Sequence, residues 1–164
     1  ERVMVLDFDA HHGDGTEEIL ADRPGVRFLS LFQWPLFPHR RMEPTPSNAV
    51  LSPLPAGAGG EDIRNVVENV WLPEIDKFQP DLMILSAGFD AHCEERIAQL
   101  KAGEMDYACV TRLLVEASFA YCEGRLVSVL EGGYELRSLA RSVFTHLQGL
   151  IRNPLPAETC KDPN

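Results

Sequence analysis

The sequence predicts an α/β fold, a parallel sheet with helices on both faces, and two observations support this fold class. Four short runs are almost continuously apolar, which is typical of strands covered on both faces of a parallel sheet. The segments between them carry apolar residues at helical spacing, and a chain that alternates strands with helices favours right-handed crossovers. The predicted strands cover residues 3–8, 26–32, 82–85 and 126–130.

The helices are predicted from apolar periodicity and capping residues. One helix is expected across residues 63–75, a second is expected to be capped by Asp106, and a third is expected over residues 136–151. Residues 33–60 hold six prolines and little periodicity, so this segment is predicted to be a long loop. Residues 1–152 are expected to form the folded part and residues 153–164 a polar tail.

The composition argues against several classes of function. A net charge of -10 and a pI near 4.9 argue against direct binding of DNA or RNA, which needs a basic face. The apolar runs are strand-sized, so no membrane partner is expected. Four cysteines without a CxxC pair argue against a cysteine zinc site. Together with the lack of a secretory leader, they predict reduced thiols and an intracellular, cytoplasmic location.

Clusters of polar residues follow the carboxyl ends of the predicted strands. Residues 7–15 follow the first strand, Ser30 ends the second, residues 86–90 follow the third, and residues 131–134 follow the fourth. In an open α/β sheet, ligands bind at this edge. The four clusters therefore predict a functional site there.

Asp9, His11 and Asp90 are the candidate metal ligands at this edge. Asp9 and His11 are separated by one residue in extended backbone, so their side chains point the same way. Three protein ligands with an open fourth position are the arrangement of catalytic zinc. Alternatively, the Asp-x-His pair only caps the following helix, or His12 takes the place of His11. His92 is expected to be a loop or supporting residue and not a ligand.

Further polar residues surround this candidate site. Asp7 and Asp14 either bind backbone amides or orient histidines of the metal site. His12 is expected to face away from the metal and to have a supporting or packing role. Residues 131–134, with sequence EGGY, predict a flexible turn that presents a phenol. His146 is expected at the surface.

Four stretches of the sequence resemble the histone deacetylase and acetylpolyamine amidohydrolase family, which has the arginase-deacetylase fold. They are DFDAHHGDGTEEIL, FLSL, QPDLMILSAGFDAH and GRLVSVLEGGYELRSLARSV, and they occur in the family's order between Arg2 and Ile151. The resemblance implies zinc-dependent hydrolysis of an acetyl-lysine or acetylpolyamine amide, so the expected substrate is an acetylated lysine or polyamine.

The resemblance also implies a role for each matched residue. Asp9, His11 and Asp90 would bind Zn²⁺. Tyr134 would be the catalytic residue that donates a hydrogen bond to the oxyanion, and Phe37 would line the acyl tunnel. A K⁺ site beneath the zinc would use Asp7, Asp9, His11, Ser30 and the carbonyl of Leu31.

In the resembled family, the general base is a histidine pair upstream of the first zinc motif, and Asp7 and Asp14 match the carboxylates that orient it. The chain therefore resembles the C-terminal half of a deacetylase domain without its N-terminal strands. The expected macromolecular partner is that other half or a second copy of this chain. Phe32, residues 39–41 and Glu95-Arg96 depart from the family pattern.

Two other functions stay open at this point. A truncated homologue could bind metal or a partner without turnover. An arginase-like ureohydrolase shares the fold, but it needs an additional aspartate beside a second metal ion, whereas the SAGFDAH segment offers Asp90 alone.

Overall fold

The computed structural model of the chain describes residues 1–39 and 44–151. The predicted tail at residues 153–164 lies outside the described residues, as do Arg40 and Arg41. The elements in chain order are β1 (Val3–Asp7), α1 (Asp14–Leu20), β2 (Val26–Gln33), β3 (Ala49–Leu54), α2 (Gly60–Val66), a π-helical turn (Val67–Trp71), α3 (Leu72–Phe78), β4 (Leu82–Ala87), α4 (Glu104–Cys122), β5 (Leu126–Leu130) and α5 (Leu136–Leu150).

The strands form one parallel sheet in the order β3-β2-β1-β4-β5. Asp7, the last residue of β1, is in register with Ser30 of β2 and Ser86 of β4. Because the strands run in one direction, the polar segments that follow them lie at the same edge of the sheet. The predicted α/β parallel fold is confirmed.

The prediction of a loop over residues 33–60 is wrong at Ala49–Leu54, which forms β3 beside β2. This strand lies at the edge of the sheet and is mostly half-buried, so it lacks the continuous apolar run of the inner strands. Pro53 is tolerated because an edge strand does not need every N–H for the ladder.

The helix predicted over residues 63–75 forms as α2, the π turn and α3 in continuous succession. Pro73 has no N–H and its ring would collide with the preceding helical turn. The π turn ends just before it, with the Leu72 N–H donating to the Val67 carbonyl five residues earlier. The locally wider helix thus accommodates the proline without a break.

The other two predicted helices form, with a small change at one end of each. α4 begins two residues before Asp106, and its N-cap is Gly103. The Gly103 N–H donates to Asp106 Oδ2 at 2.8 Å, so Asp106 stabilises the helix start from its third position. α5 ends at Leu150, one residue before the predicted end.

The two faces of the sheet are covered unequally. On one face, alternate strand residues such as Met4 and Leu85 pack with Trp71 and Leu114 of the covering helices in the main core. The opposite face is covered around β2 by α1 and the loop before it. On β5, that same face leaves Val127 and Val129 about half exposed, at 50% and 48%.

Among the described residues, Cys93 and Cys122 are free thiols and Cys109 is disulfide-bonded. The prediction of reduced thiols is therefore wrong at Cys109. Within the part of the chain that the structure describes, no helix combines the length and apolar content needed to cross a bilayer.

Candidate metal centre

Asp9, His11 and Asp90 converge at the carboxyl ends of β1 and β4, as predicted. One ligand atom from each residue lies within 4.8 Å of the other two. His11 Nδ1 is 2.7 Å from Asp90 Oδ2 and 3.1 Å from Asp9 Oδ1. The nitrogen that faces both carboxylates is therefore Nδ1. Asp90 is fully buried, whereas the His11 side chain is partly open to solvent, so the cluster is reached from the side of His11.

Backbone hydrogen bonds fix the two carboxylates. The Ala10 N–H donates to Asp90 Oδ1 at 2.8 Å, and the His11 N–H donates to Asp9 Oδ1 at 2.8 Å. The Phe8 N–H donates to the Ser86 carbonyl at 3.1 Å, which joins the segments that leave β1 and β4. The two strands thus hold the ligand-bearing segments in a fixed relation before any ion binds.

Gly132, which follows β5, closes the site from a third strand. Its N–H donates to Asp9 Oδ2 at 2.8 Å. A Cβ at this position would lie 2.5 Å from Asp90 Oδ2 and closer still to Asp9 Oδ2. Any larger residue would therefore displace the carboxylates. This close approach is the physical reason for the first glycine of the EGGY turn.

The side chains of the cluster shift one another's pKa values. Hydrogen bonds to Asp9 and then to Asp90 raise the pKa of His11 to about 10. Burial raises the pKa of Asp90. Burial also acts to raise the pKa of Asp9, but hydrogen bonds, first the one from His11, outweigh it, so the pKa of Asp9 is lowered. A protonated imidazole between carboxylates occupies the position that suits a divalent cation, so metal binding must displace that proton.

Asp7 and Asp14 both bind backbone amides, the first of the two alternatives. Asp7 is buried, and its Oδ1 accepts from the Asp9 N–H at 3.0 Å. Burial raises the pKa of Asp7 well above its usual value. Asp14 lies exposed at the start of α1, where its Oδ1 accepts from the Gly15 N–H at 2.8 Å. Asp7 therefore binds the backbone of a candidate ligand, Asp9, and Asp14 lies farther out.

His12 faces away from the three ligands, as predicted, and is buried. Its Nε2 contacts a carboxylate oxygen of Glu17 on α1, and its ring lies 4.6 Å from the ring of Phe32. This arrangement anchors α1 to the second face of the sheet. Glu17 was not singled out from the sequence, although an acidic residue five positions after a buried histidine could have suggested the pair.

Tyr134 lies at the mouth of the site, with 63% of its surface exposed. Burial of the remainder and the negative charges of Asp9 and Asp90 raise the pKa of its phenol. The Tyr134 N–H donates to Glu95 Oε1 at 2.7 Å. The phenol therefore extends from a fixed backbone into open space, within electrostatic reach of the metal ligands.

The remaining predicted residues take distinct positions. Ser30 is fully buried beside Asp7, and its Oγ makes no hydrogen bond within the described residues. The next residue, Leu31, is buried in β2. Phe37 is exposed in the loop after β2, and its role as a tunnel wall stays a prediction. His92 is buried beside Glu104 and is absent from the ligand cluster, as predicted.

The prediction that His146 lies at the surface is wrong, because only 3% of this residue is exposed. The Thr111 hydroxyl donates to the Tyr107 carbonyl at 2.6 Å, so it accepts from His146 Nδ1 at 2.7 Å. The Ser128 hydroxyl then donates to Nε2 at 2.8 Å. Burial lowers the pKa of His146 to about 4, and the ring is neutral at neutral pH.

Comparison with known proteins finds histone and polyamine deacetylases that are similar to this chain. A sequence profile of the histone deacetylase domain matches residues 1–150. Histone deacetylase 10, chloroplastic, of Oryza sativa subsp. japonica is 34% identical over 169 residues, covering 99% of this chain and 38% of that protein. Polyamine deacetylase HDAC10 of Homo sapiens is 34% identical over 170 residues, covering 94% of this chain and 24% of that protein. The crystal structure of the HDA15 HD domain matches with a TM-score of 0.83 at 29% identity, covering 98% of this chain and 47% of that one. The chain thus spans less than half the length of each.

Proposed function

The chain belongs to the histone deacetylase domain family, and on this premise we propose that it carries the metal centre of a zinc-dependent deacetylase. The observation that supports the proposal is the convergence of Asp9, His11 and Asp90 at one edge of the sheet. One imidazole nitrogen and two carboxylates suit zinc, and a fourth position stays open for water and substrate. Gly132 leaves the space between the carboxylates free of a side chain.

A bound zinc ion supplies two effects here: it lowers the pKa of a coordinated water, and it polarises a carbonyl oxygen. Tyr134 donates a hydrogen bond to the substrate carbonyl oxygen as that oxygen gains negative charge. Its raised pKa keeps the phenol protonated at neutral pH, which a donor requires. Loss of one such donor typically costs about 10²–10³-fold in rate.

The proton of the attacking water needs a general base, and we propose that this base comes from outside the described residues 1–39 and 44–151. His12 is buried against Glu17 and Phe32 on the other face of the sheet, and His92 is buried beside Glu104. Neither belongs to the ligand cluster. General acid-base assistance is commonly worth about 10²–10⁴-fold, so residues 1–164 alone should turn over slowly.

We propose an acetylated lysine or an acetylated polyamine as the substrate. The named functions of the matched relatives, histone deacetylase and polyamine deacetylase, support both classes. A net charge of -10 favours a cationic substrate molecule in either case. We also propose a cytoplasmic location. The proposed macromolecular partner is either the other half of a deacetylase domain or a second copy of this chain.

A K⁺ ion beside the zinc ligands is part of the same proposal. The Asp7 carboxylate lies in register with Ser30, whose buried hydroxyl oxygen accepts no hydrogen bond within the described residues. A cation bound by Asp7, Ser30 and the Leu31 carbonyl would satisfy that oxygen and offset the cost of a buried carboxylate.

The test combines metal analysis with turnover of fluorogenic acetyl-lysine and acetylpolyamine substrates. Asp90→Ala should lose zinc and activity together, whereas Glu94→Ala, which removes an exposed carboxylate bound to Arg141, should keep both. Tyr134→Phe should keep zinc and lose activity. A segment carrying a histidine pair, added in trans or by fusion, should raise the rate about 10²–10⁴-fold. Fast turnover by residues 1–164 alone would contradict an external base.

A further inference from the structure

Glu95 is not one of the candidate metal ligands, but it binds the backbone of the turn that carries Tyr134. It lies on the loop that follows Asp90, and one carboxylate oxygen, Oε1, accepts from two successive backbone amides. These are the Tyr134 N–H at 2.7 Å and the Glu135 N–H at 2.8 Å. A carboxylate bound to two amides is held more tightly than a neutral acceptor, because hydrogen bonds to charged groups are about twice as strong.

This contact completes the attachment of the turn between β5 and α5. The Gly132 N–H donates to Asp9 Oδ2, and the Gly132 carbonyl accepts from the Phe89 N–H at 2.8 Å. Between the two attachments lies Gly133, whose positive φ of 131° is available to glycine but rarely to other residues. Without Glu95, the short link between Gly132 and the start of α5 would be held at its two ends only, and the Tyr134 and Glu135 amides would lose this acceptor.

The side chain of Tyr134 cannot fix its own position. It is largely exposed, and its hydroxyl makes no hydrogen bond to another described residue. The placement of the phenol therefore depends on its backbone. Glu95 binds that backbone at Tyr134 itself and at the next residue, the N-cap of α5.

We propose that Glu95 is a positioning residue, which holds the backbone of Tyr134 so that its phenol points at the substrate carbonyl oxygen. The expected effect on the rate rests on the proposed deacetylase function. The expected effect on the backbone rests on the hydrogen bonds of Glu95 alone. Misplacement of a reacting group by about 1 Å can cost up to about 100-fold in rate, so the loss of Glu95 should be large.

The structural test is amide hydrogen exchange by NMR on the zinc-loaded chain. Glu95→Ala should speed exchange at the Tyr134 and Glu135 amides by at least about tenfold, while the Gly132 amide, which binds Asp9, stays unchanged. Glu95→Gln keeps an acceptor oxygen and should preserve most of the protection. Unchanged exchange at both amides in Glu95→Ala would overturn the proposal.

The kinetic test is a double-mutant cycle with Tyr134→Phe, measured on the zinc-loaded protein with an acetyl-lysine peptide. Glu95→Ala should lower kcat about 10- to 100-fold with little change in KM. The same change in the Tyr134→Phe background should cost less than about threefold, because the group being positioned is gone. Glu94→Ala, on the same loop, should leave kcat unchanged.

Equal losses from Glu95→Ala in both backgrounds would overturn the role, because Glu95 would then act on something other than Tyr134. If the protein with Tyr134 intact deacetylates neither substrate class, the proposed function fails. The exchange experiment still decides in that case whether Glu95 fixes the turn.

Discussion

Replacement of Gly132 by alanine should open the metal centre without unfolding the chain. A Cβ at this position would lie 2.5 Å from Asp90 Oδ2, whereas ordinary contact begins near 3.4 Å, so about 0.9 Å of overlap must be relieved. The turn cannot retreat freely, because Gly132 donates to Asp9 and accepts from the Phe89 N–H, each at 2.8 Å. Either a hydrogen bond to a charged group breaks or the ligands separate.

The cost of either response sets the size of the effect. Loss of a hydrogen bond to a charged group costs about 1.5–3 kcal/mol, and overpacking costs a similar amount. About 2 kcal/mol lost from zinc binding corresponds to a dissociation constant about 30-fold higher. Competition against a chromophoric chelator measures this constant, and circular dichroism checks that the variant is folded.

Gly15→Ala is the matched control. Gly15 lies in α1, and a Cβ there meets nothing within 4 Å, so zinc affinity should stay as in the wild type. Alanine in a helix is also favoured over glycine, so the control should melt no lower than the wild type. A folded Gly132→Ala protein that binds zinc within about threefold of the wild type would refute the close-approach argument.

Two further predictions concern stability and association. The pKa of His146 is about 4 in the folded chain and about 6.5 in the unfolded chain, so the unfolded chain takes up a proton first as pH falls. Because of this proton, the free energy of unfolding should drop by about 2 kcal/mol between pH 7.5 and 5. Urea unfolding should show a smaller pH dependence in His146→Gln, and an unchanged dependence would contradict the buried neutral imidazole. The half-exposed Val127 and Val129 on edge strand β5 should make the chain self-associate, and Val129→Lys should reduce the association. A monodisperse wild-type monomer in sedimentation velocity would refute this.

The convergence of the candidate metal ligands could be predicted from the sequence for a simple geometric reason. Parallel strands bring their carboxyl ends to one edge of the sheet, so Asp9 and Asp90 could be predicted to lie close together. The hydrogen bond from the Ala10 N–H to Asp90, which are 80 positions apart in the chain, joins the two segments. The positions of the strands β1, β2, β4 and β5 followed from their apolar runs. β3 did not, because an edge strand that contains Pro53 and is mostly half-buried carries no such run.

α5 shows most clearly where apolar periodicity fails to predict the buried face of a helix. Its buried face consists of Ser138, Ser142 and His146, while Leu136 and Phe144 are exposed. Small residues let α5 approach α4 closely: a Cβ on Gly149 would lie 2.8 Å from Thr111 Cγ2. A search for an apolar stripe selects Leu139 and Val143, which pack half-buried against the core beside this face, and it places His146 at the surface.

The hydrogen bonds of Glu95 could not be predicted from spacing. They join a carboxylate to amides of a turn 39 residues later in the chain, and their formation depends on how the loop after Asp90 folds back. Such contacts become visible only when the backbone is known.

The most direct measurement of the central claim is anomalous diffraction at the zinc edge from a zinc-loaded crystal. The account predicts one strong peak at the carboxyl ends of β1 and β4, about 2.0–2.2 Å from His11 Nδ1 and from one oxygen each of Asp9 and Asp90. The peak should vanish in Asp90→Ala. A zinc peak elsewhere in the wild type, or an unchanged peak in that variant, would contradict the assignment of the metal centre.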